Sequence, residues 1–251
     1  MKKILKKIYH TLKYSGNNFQ CPICEQSFGQ MKPLEASWYV RNQLVDHYTK
    51  NAICPNCDSW IRHRFLIKFI QKNKIFDQRP LKLLHFAPED HLTKHILSKY
   101  PHINYFCGDI DIDRYRHLQA IQLDIAEIKL DSENFEGIIC LHVLELIEHD
   151  LKAISEMYRI LKKGGFALIG VPIYGEKTES DPSLNPEQRE KMYGYAENHR
   201  LYGLDFKKTL ENAGFEVEIA KFSDIKGNYY DTNAKSPHVN SDQYLFYCKK
   251  N

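Results

Sequence analysis

The stretch 135–173 sets the reading of this chain: FEGIICLHVLELIEHDLKAISEMYRILKKGGFALIGVPI. Residues 135–143 are apolar with little alternation, as expected of a strand buried on both faces. Leu151, Ile154, Met157, Tyr158 and Leu161 then recur at helical spacing, with Asp150 placed to cap that helix. Lys162 and Lys163 suit its negative end, and Gly164 suits a left-handed cap. Residues 166–171 are a second apolar run, ended by Pro172. The order strand, loop, helix, turn, strand is a parallel crossover. Sheets built this way bind ligands beyond the carboxyl ends of their strands.

Other apolar runs extend the sheet. Leu81–Phe86 reads as its first strand and 103–110 as its second. After the Ala213-Gly214-Phe215 turn, 216–220 and 243–249 read as closing antiparallel strands. The polar stretch 223–242 reads as a substrate loop or as disorder. The helical pattern of 58–73, DSWIRHRFLIKFIQKN, is apolar through Trp60, Ile61, Phe65, Ile67, Phe69 and Ile70. Arg62, His63, Arg64 and Lys68 give it a basic side, and it reads as a bridge between two units. At the amino end, MKKILKKIYHTLK combines Lys2, Lys3, Lys6, Lys7 and Lys13 with apolar residues every three to four positions. Such a helix either touches an anionic membrane surface or nucleic-acid backbone, or packs on its own domain with its lysines in water.

Composition narrows the classes. A net charge of +3 gives no general polyanion bias, and no apolar run approaches the roughly 20 residues of a membrane helix. No signal-peptide core follows the first lysines. Of seven cysteines, Cys107, Cys140 and Cys248 sit in strand-like runs, which fits free thiols in a reducing cytoplasm. The other four form two CPxC knuckles, Cys21–Cys24 and Cys54–Cys57. Four thiolates match a closed, tetrahedral structural zinc site. A thioredoxin-type redox motif would explain one pair but not two. The 29 residues between the knuckles, 25–53, are expected to carry strands around 37–40. His47 and His63 read as packing or surface histidines.

FEGIICLHVLELIEH followed by LKKGG resembles the class I S-adenosylmethionine-dependent methyltransferases. Glu136 stands where that family has Asp, and Leu146 where it commonly has His. The order CPxC, CPxC, R-H-R, then L-H-F-A-P-E resembles a bacterial subgroup with an N-terminal zinc ribbon, and this resemblance covers nearly the full chain. It implies an α/β, Rossmann-like, mostly parallel seven-stranded sheet with helices on both faces, behind a small zinc-ribbon-like module. The implied division is 1–78 and 79–251, with two separate cores.

The resemblance also implies S-adenosylmethionine and zinc as cofactors. Ala87, Pro88 and Glu89 occupy the loop after His85 where most of the superfamily has glycines. Glu89 could complement the cofactor's positive charge or be a first-turn helix acid. Asp109 closes the second strand, 22 residues after Ala87, the spacing of a ribose-binding acid; Asp111 is its neighbour. Leu123-Asp124-Ile125 resembles the step that meets adenine, although Asp124 also suits a turn. Leu141, His142 and Glu145 fall at the cofactor entrance. The segment 178–202 falls in the position of a lid and ends in Asn198-His199-Arg200-Leu201-Tyr202-Gly203, with Asn where the subgroup has Asp. His199 is the candidate base, because its ordinary pKa lies near working pH; the alternative is that it only holds the lid.

Three functions follow as expectations. The first is methylation of a small molecule or glycan precursor. The second is RNA methylation guided by the zinc module, which needs a continuous basic face joining Arg62, Arg64 and the N-terminal lysines to the cleft. The third is a non-catalytic scaffold. The absence of D/N-P-P-Y after the fourth strand argues against the exocyclic-amine DNA type.

Overall fold

The computed structural model describes residues 12–77, 81–225, 227–229 and 244–251. Most of the basic amino-terminal helix, and with it any membrane contact, lies outside the described residues. So does most of 223–242. Among the described residues no helix is long and apolar enough to cross a membrane.

The cysteine module comes first. The strands β1 (Phe19–Gln20) and β2 (Ser27–Phe28) pair around the first knuckle. The strands β3 (Lys32–Val40) and β4 (Gln43–Ile53) form a long hairpin with Val40 opposite Gln43. Its two-residue tip, Arg41 and Asn42, has φ of 50° and 64°. Two left-handed residues make a turn whose twist matches paired strands, and Asn tolerates that conformation best after Gly. The second knuckle leads into α1 (Ile61–Lys72).

A seven-stranded sheet follows, in the order β10-β11-β9-β8-β5-β6-β7. Its strands are β5 (Leu81–Phe86), β6 (Ile103–Asp109), β7 (Ala120–Gln122), β8 (Phe135–Leu141), β9 (Leu161–Gly170), β10 (Glu216–Lys221) and β11 (Tyr244–Lys249). The five strands from β5 to β9 run parallel; β11 is antiparallel to both β9 and β10. The chain builds outward from β5 to β7, then returns to place β8 on the other side of β5. The crevice where connections diverge, between the ends of β5 and β8, is where such sheets bind ligands.

The crossover differs locally from its sequence reading. The helix α3 (Asp150–Ile160) has His149, not Asp150, at its cap, and strand structure resumes at Leu161. Gly164 keeps its positive φ of 75°, but as a bend within the strand entry, where its N–H reaches the Lys250 carbonyl at 2.7 Å. The Asp150 carboxylate instead accepts from the Tyr202 hydroxyl at 2.7 Å.

Alternation along each strand divides the core. Leu84 and Phe86 of β5 face one side, with Ile138, Cys140, Ala167 and Ile169, under α3 and α5 (Phe206–Asn212). Leu81 and Leu83 face the other, with Tyr105, Cys107, Ile139 and Leu168. That second face is covered by α1 and by α2 (Asp90–Lys99), and the cluster runs on without a break into Cys21, Ile23, Phe28, Met31 and Cys54. Two separate cores are therefore not what forms. The reason is α1: Phe65, Leu66, Ile67, Phe69 and Ile70 are all buried, so the helix is apolar on nearly every side. One side covers the sheet and the rest closes the cysteine module. Each such side chain contributes roughly 1.5–3 kcal/mol.

Candidate active site

At the end of β5, Ala87 takes a left-handed φ of 45° and its N–H bonds the Gly108 carbonyl at 3.0 Å. The turn that glycine commonly makes is made here by alanine, at a conformational cost. His142, just after β8, is left-handed too, with φ 53°, and its N–H bonds the Gly170 carbonyl at 2.8 Å. Two strained non-glycine residues thus flank the crevice, one on each side.

Glu89 leaves the β5 loop and Glu145 the β8 loop. The Glu89 Oε1 lies 2.8 Å from His63 Nε2, and its Oε2 3.7 Å from His85 Nε2. The Trp60 N–H donates to His63 Nδ1 at 3.1 Å, so the ring proton belongs on Nε2, toward Glu89. His91 Nε2 also reaches that Nδ1, at 2.7 Å. Burial would raise the Glu89 carboxyl; the neighbouring His63, His85 and Arg62 outweigh it and hold it below the usual carboxylate range. Burial pushes His63 down to about 3 and His85 down to about 4, so both are neutral at pH 7. Glu145 is 5% exposed, with Oε1 3.2 Å from His142 Nδ1. One oxygen of each carboxylate, Oε2, is buried without a hydrogen bond.

The remaining expected cofactor residues lie on, or just after, β5, β6, β7 and β8. His85 is fully buried and its Nδ1 meets the Tyr105 hydroxyl at 2.9 Å, so it supports the loop from beneath. Asp109 ends β6, half-buried, with Oδ1 accepting from the Asp111 N–H. Asp111 is exposed and accepts from Asp113. Asp124 is exposed in a tight turn, accepting from the Ala126 N–H at 2.8 Å. Ile125 and Leu141 are 5% and 6% exposed, so each offers only an edge to a ligand.

His199 stands on the lid. Its N–H bonds the Glu145 carbonyl at 2.8 Å, while Arg189 Nη1 lies 3.0 Å from its ring nitrogens. Burial, then the charges of Arg189 and Arg200, lower its pKa. Arg200 donates to the carbonyls of Leu144, Ile147 and Glu148 and pairs with Asp150 at 3.3 Å. The motif 198–203 thus ties the lid to the β8 loop.

Two contributions from the module escaped the sequence reading. The hairpin tip reaches the lid: the Arg41 and Asn42 N–H groups donate to the last carbonyls of α4 (Pro186–Tyr193), and Arg41 forks onto Glu179 at 2.6–3.2 Å. The two-residue turn was a signal for the hairpin but not for its target. The second is Arg64. It is fully buried, and donates to the carbonyls of Asn51, Ala52, Ser59 and Tyr229. It cannot contribute to an exposed basic face.

The four cysteine sulfurs lie within 4.8 Å of one another. Cys21 and Cys57 are 3.7 Å apart, as are Cys24 and Cys54. A tetrahedron with metal–sulfur bonds of about 2.3 Å has edges of about 3.8 Å, so these sulfurs fit one ion. Among the described residues no other group of Cys, His, Asp and Glu meets that test.

Residues 99–169 match the family model of a methyltransferase domain. No curated protein matches the chain. Among solved structures, the CurJ carbon methyltransferase matches with a TM-score of 0.51 at 16% identity, over 77% of this chain and 56% of that one. The chain thus spans little more than half of that relative. A protein described as a sarcosine dimethylglycine methyltransferase of Galdieria sulphuraria matches with a TM-score of 0.54 at 12% identity, over 75% and 84%. The [4+2]-cyclase SpnF matches with 0.51 at 14%, over 76% and 83%. These likenesses are of fold, and the cyclase among them shows that the fold carries more than one chemistry.

Proposed function

We propose that this chain, a class I S-adenosylmethionine-dependent methyltransferase by its domain and fold, methylates a small molecule or glycan precursor. The observation that carries the cofactor reading is the crevice between β5 and β8. It presents the half-buried carboxylate of Glu89, the buried one of Glu145 and the strand-end Asp109 on three adjacent loops. Such a set suits an adenosyl group with a positively charged amino-acid tail: Asp109 toward the ribose, the two glutamates toward the positive charge. Asp124 and Ile125 would approach the adenine ring, and Leu141 would pack beside it. The cofactor, when bound, supplies a methyl group activated by its sulfonium.

This chain's residues then hold the acceptor and, where needed, take its proton. Two histidines are placed for the proton. His142 has a buried carboxylate at 3.2 Å to orient it and keeps 31% of its side chain exposed. His199 has a lowered pKa, but Arg189 faces its ring. The small-acceptor reading is favoured by the lid, which the module's hairpin holds from one side and Arg200 from the other. The burial of Arg64 removes support from the RNA reading. We further propose that the cysteine cluster holds one structural zinc; with four thiolates no position stays open for catalysis.

The test is a transfer assay with methyl-labelled S-adenosylmethionine. Small acceptors and glycan precursors are screened beside total RNA, after calorimetry with the cofactor alone. Cofactor binding with label entering a small acceptor is the expected result. Label entering RNA, with a steep salt dependence, would replace the acceptor assignment. No cofactor binding would leave the scaffold reading.

A further inference from the structure

Among the described residues Arg62 makes no hydrogen bond that would hold the module together. It is the second residue of α1, and Arg64, two residues on, anchors that helix to the second knuckle. The Arg62 Nε is buried without a hydrogen bond. Its guanidinium packs 4.7 Å from the centre of the Trp60 ring, and among the described residues it forms no ion pair. His63, the next residue of α1, stands 2.8 Å from Glu89, so Arg62 lies beside the β5 loop. The opposite charges acting on it are those of Glu89 and Glu145, whose loops follow β5 and β8. Both glutamates keep an unsatisfied buried oxygen. One cation and two anions about the crevice thus each keep a buried polar atom unpaired.

Buried charges left in this condition call for a partner. A zwitterion supplies both complements. Its ammonium suits the two carboxylates, and its carboxylate suits a planar guanidinium already oriented by an aromatic ring. We infer that Arg62, delivered by the cysteine module, binds the α-carboxylate of the cofactor's methionine tail. This rests on the S-adenosylmethionine reading above. The module then supplies part of the cofactor site itself, and one that no search along the sheet's own loops would find.

The experiment uses the metal-loaded full chain and calorimetric titration with three probes. S-adenosylmethionine carries both tail charges, its decarboxylated form keeps only the ammonium, and 5′-methylthioadenosine has no tail. Wild-type protein is expected to prefer S-adenosylmethionine over the decarboxylated form by roughly 10- to 100-fold, the scale of hydrogen bonds to a charged group. Arg62→Met should abolish that preference and leave 5′-methylthioadenosine affinity unchanged. Arg62→Lys should retain part of it, since a point charge replaces a fork. A wild-type protein indifferent to the carboxylate would overturn the inference, whatever the variants do. So would a preference that survives in Arg62→Met. Failure of the wild type to bind any of the three would instead remove the cofactor reading on which this stands.

Discussion

Arg64→Met should be the most damaging single change in the cysteine module. The side chain is fully buried and its guanidinium meets four carbonyls at 2.6–3.3 Å. Those carbonyls come from the end of β4, from just after the second knuckle and from Tyr229, so one cation ties the knuckle region to a segment more than 160 residues on. Methionine fills similar volume but offers no donor. Each carbonyl left short of a partner costs about 1 kcal/mol at the low end of the range, or roughly 4 kcal/mol for the four. Removing one side of a buried charged network costs about 3–5 kcal/mol, in agreement. There is a second effect. Four thiolates and a divalent ion carry two net negative charges, and the charges of Cys21, Cys54 and Cys57 already act on Arg64. Loss of the countercharge should therefore weaken metal retention as well. Urea unfolding of the metal-loaded protein measures the first effect, and competition with a chromophoric chelator the second. At this chain length the loss corresponds to on the order of 10 °C in Tm. A cost below about 1 kcal/mol with unchanged metal retention would refute the reasoning.

Four more outcomes are expected. Elemental analysis should find one zinc per chain, and Cys54→Ser should lower the stability of the whole chain in one transition, because module and sheet share a core; two separated transitions would contradict this. Asp109→Ala should weaken S-adenosylmethionine binding by about 1.5–3 kcal/mol in calorimetry, and Asp124→Ala by less. If a proton must be removed, His142→Gln should lower kcat roughly 10²- to 10⁴-fold with cofactor affinity kept, and His199→Gln should do the same only if Arg189 yields its ring; a drop from His199→Gln alone would select that residue instead. Burial holds His63 near 3 and His85 near 4 against the ordinary 6.5, so between these values the unfolded chain binds more protons. Stability present above pH 6.5 is then lost as pH falls toward 4, by on the order of 1 kcal/mol per pH unit for each histidine, and His85→Gln should flatten the unfolding profile measured at pH 5–7.

The crossover 135–170 was legible because a buried parallel strand and an amphipathic helix each impose a period on the sequence. Its ends were less so. Leu161 counts both as the last apolar position of the helix pattern and as the first strand residue, and the backbone chose the strand. The four-cysteine cluster was legible because two CPxC pairs match the four ligands of a closed metal site, whereas a redox dithiol needs only one pair. What the module does beyond its own fold was not. Arg62 and Arg64 are two residues apart in one basic stretch, so composition treats them alike. Yet Arg64 turns into the core onto four carbonyls, and Arg62 lies over the Trp60 ring and feels the charges of Glu89 and Glu145. Only the packing of α1 between sheet and knuckle separates the two directions. Likewise, Arg41 and Glu179 are 138 residues apart, and no local pattern announces such a pair.

Three of the contacts that bind the cysteine module to the rest of the chain reach the sheet, the lid and the crevice. Its core is continuous with one face of the sheet, its hairpin tip caps α4 on the lid, and His63 stands 2.8 Å from Glu89 in the loop after β5. A tethered adaptor needs none of these. With them, the arrangement of α1 that the four sulfurs fix is also the arrangement that presents His63 and Arg62 to the crevice. A metal held by the four sulfurs would then favour the same conformation as the cofactor, and favouring must be mutual: whatever factor the metal adds to cofactor affinity, the cofactor adds to metal affinity. Retention of the metal against a chelator, measured with and without S-adenosylhomocysteine, reads that factor directly. A ratio of one would mean that the module's position is held by its apolar core alone, without help from the metal. A ratio above one would make the knuckles a working part of the cofactor site.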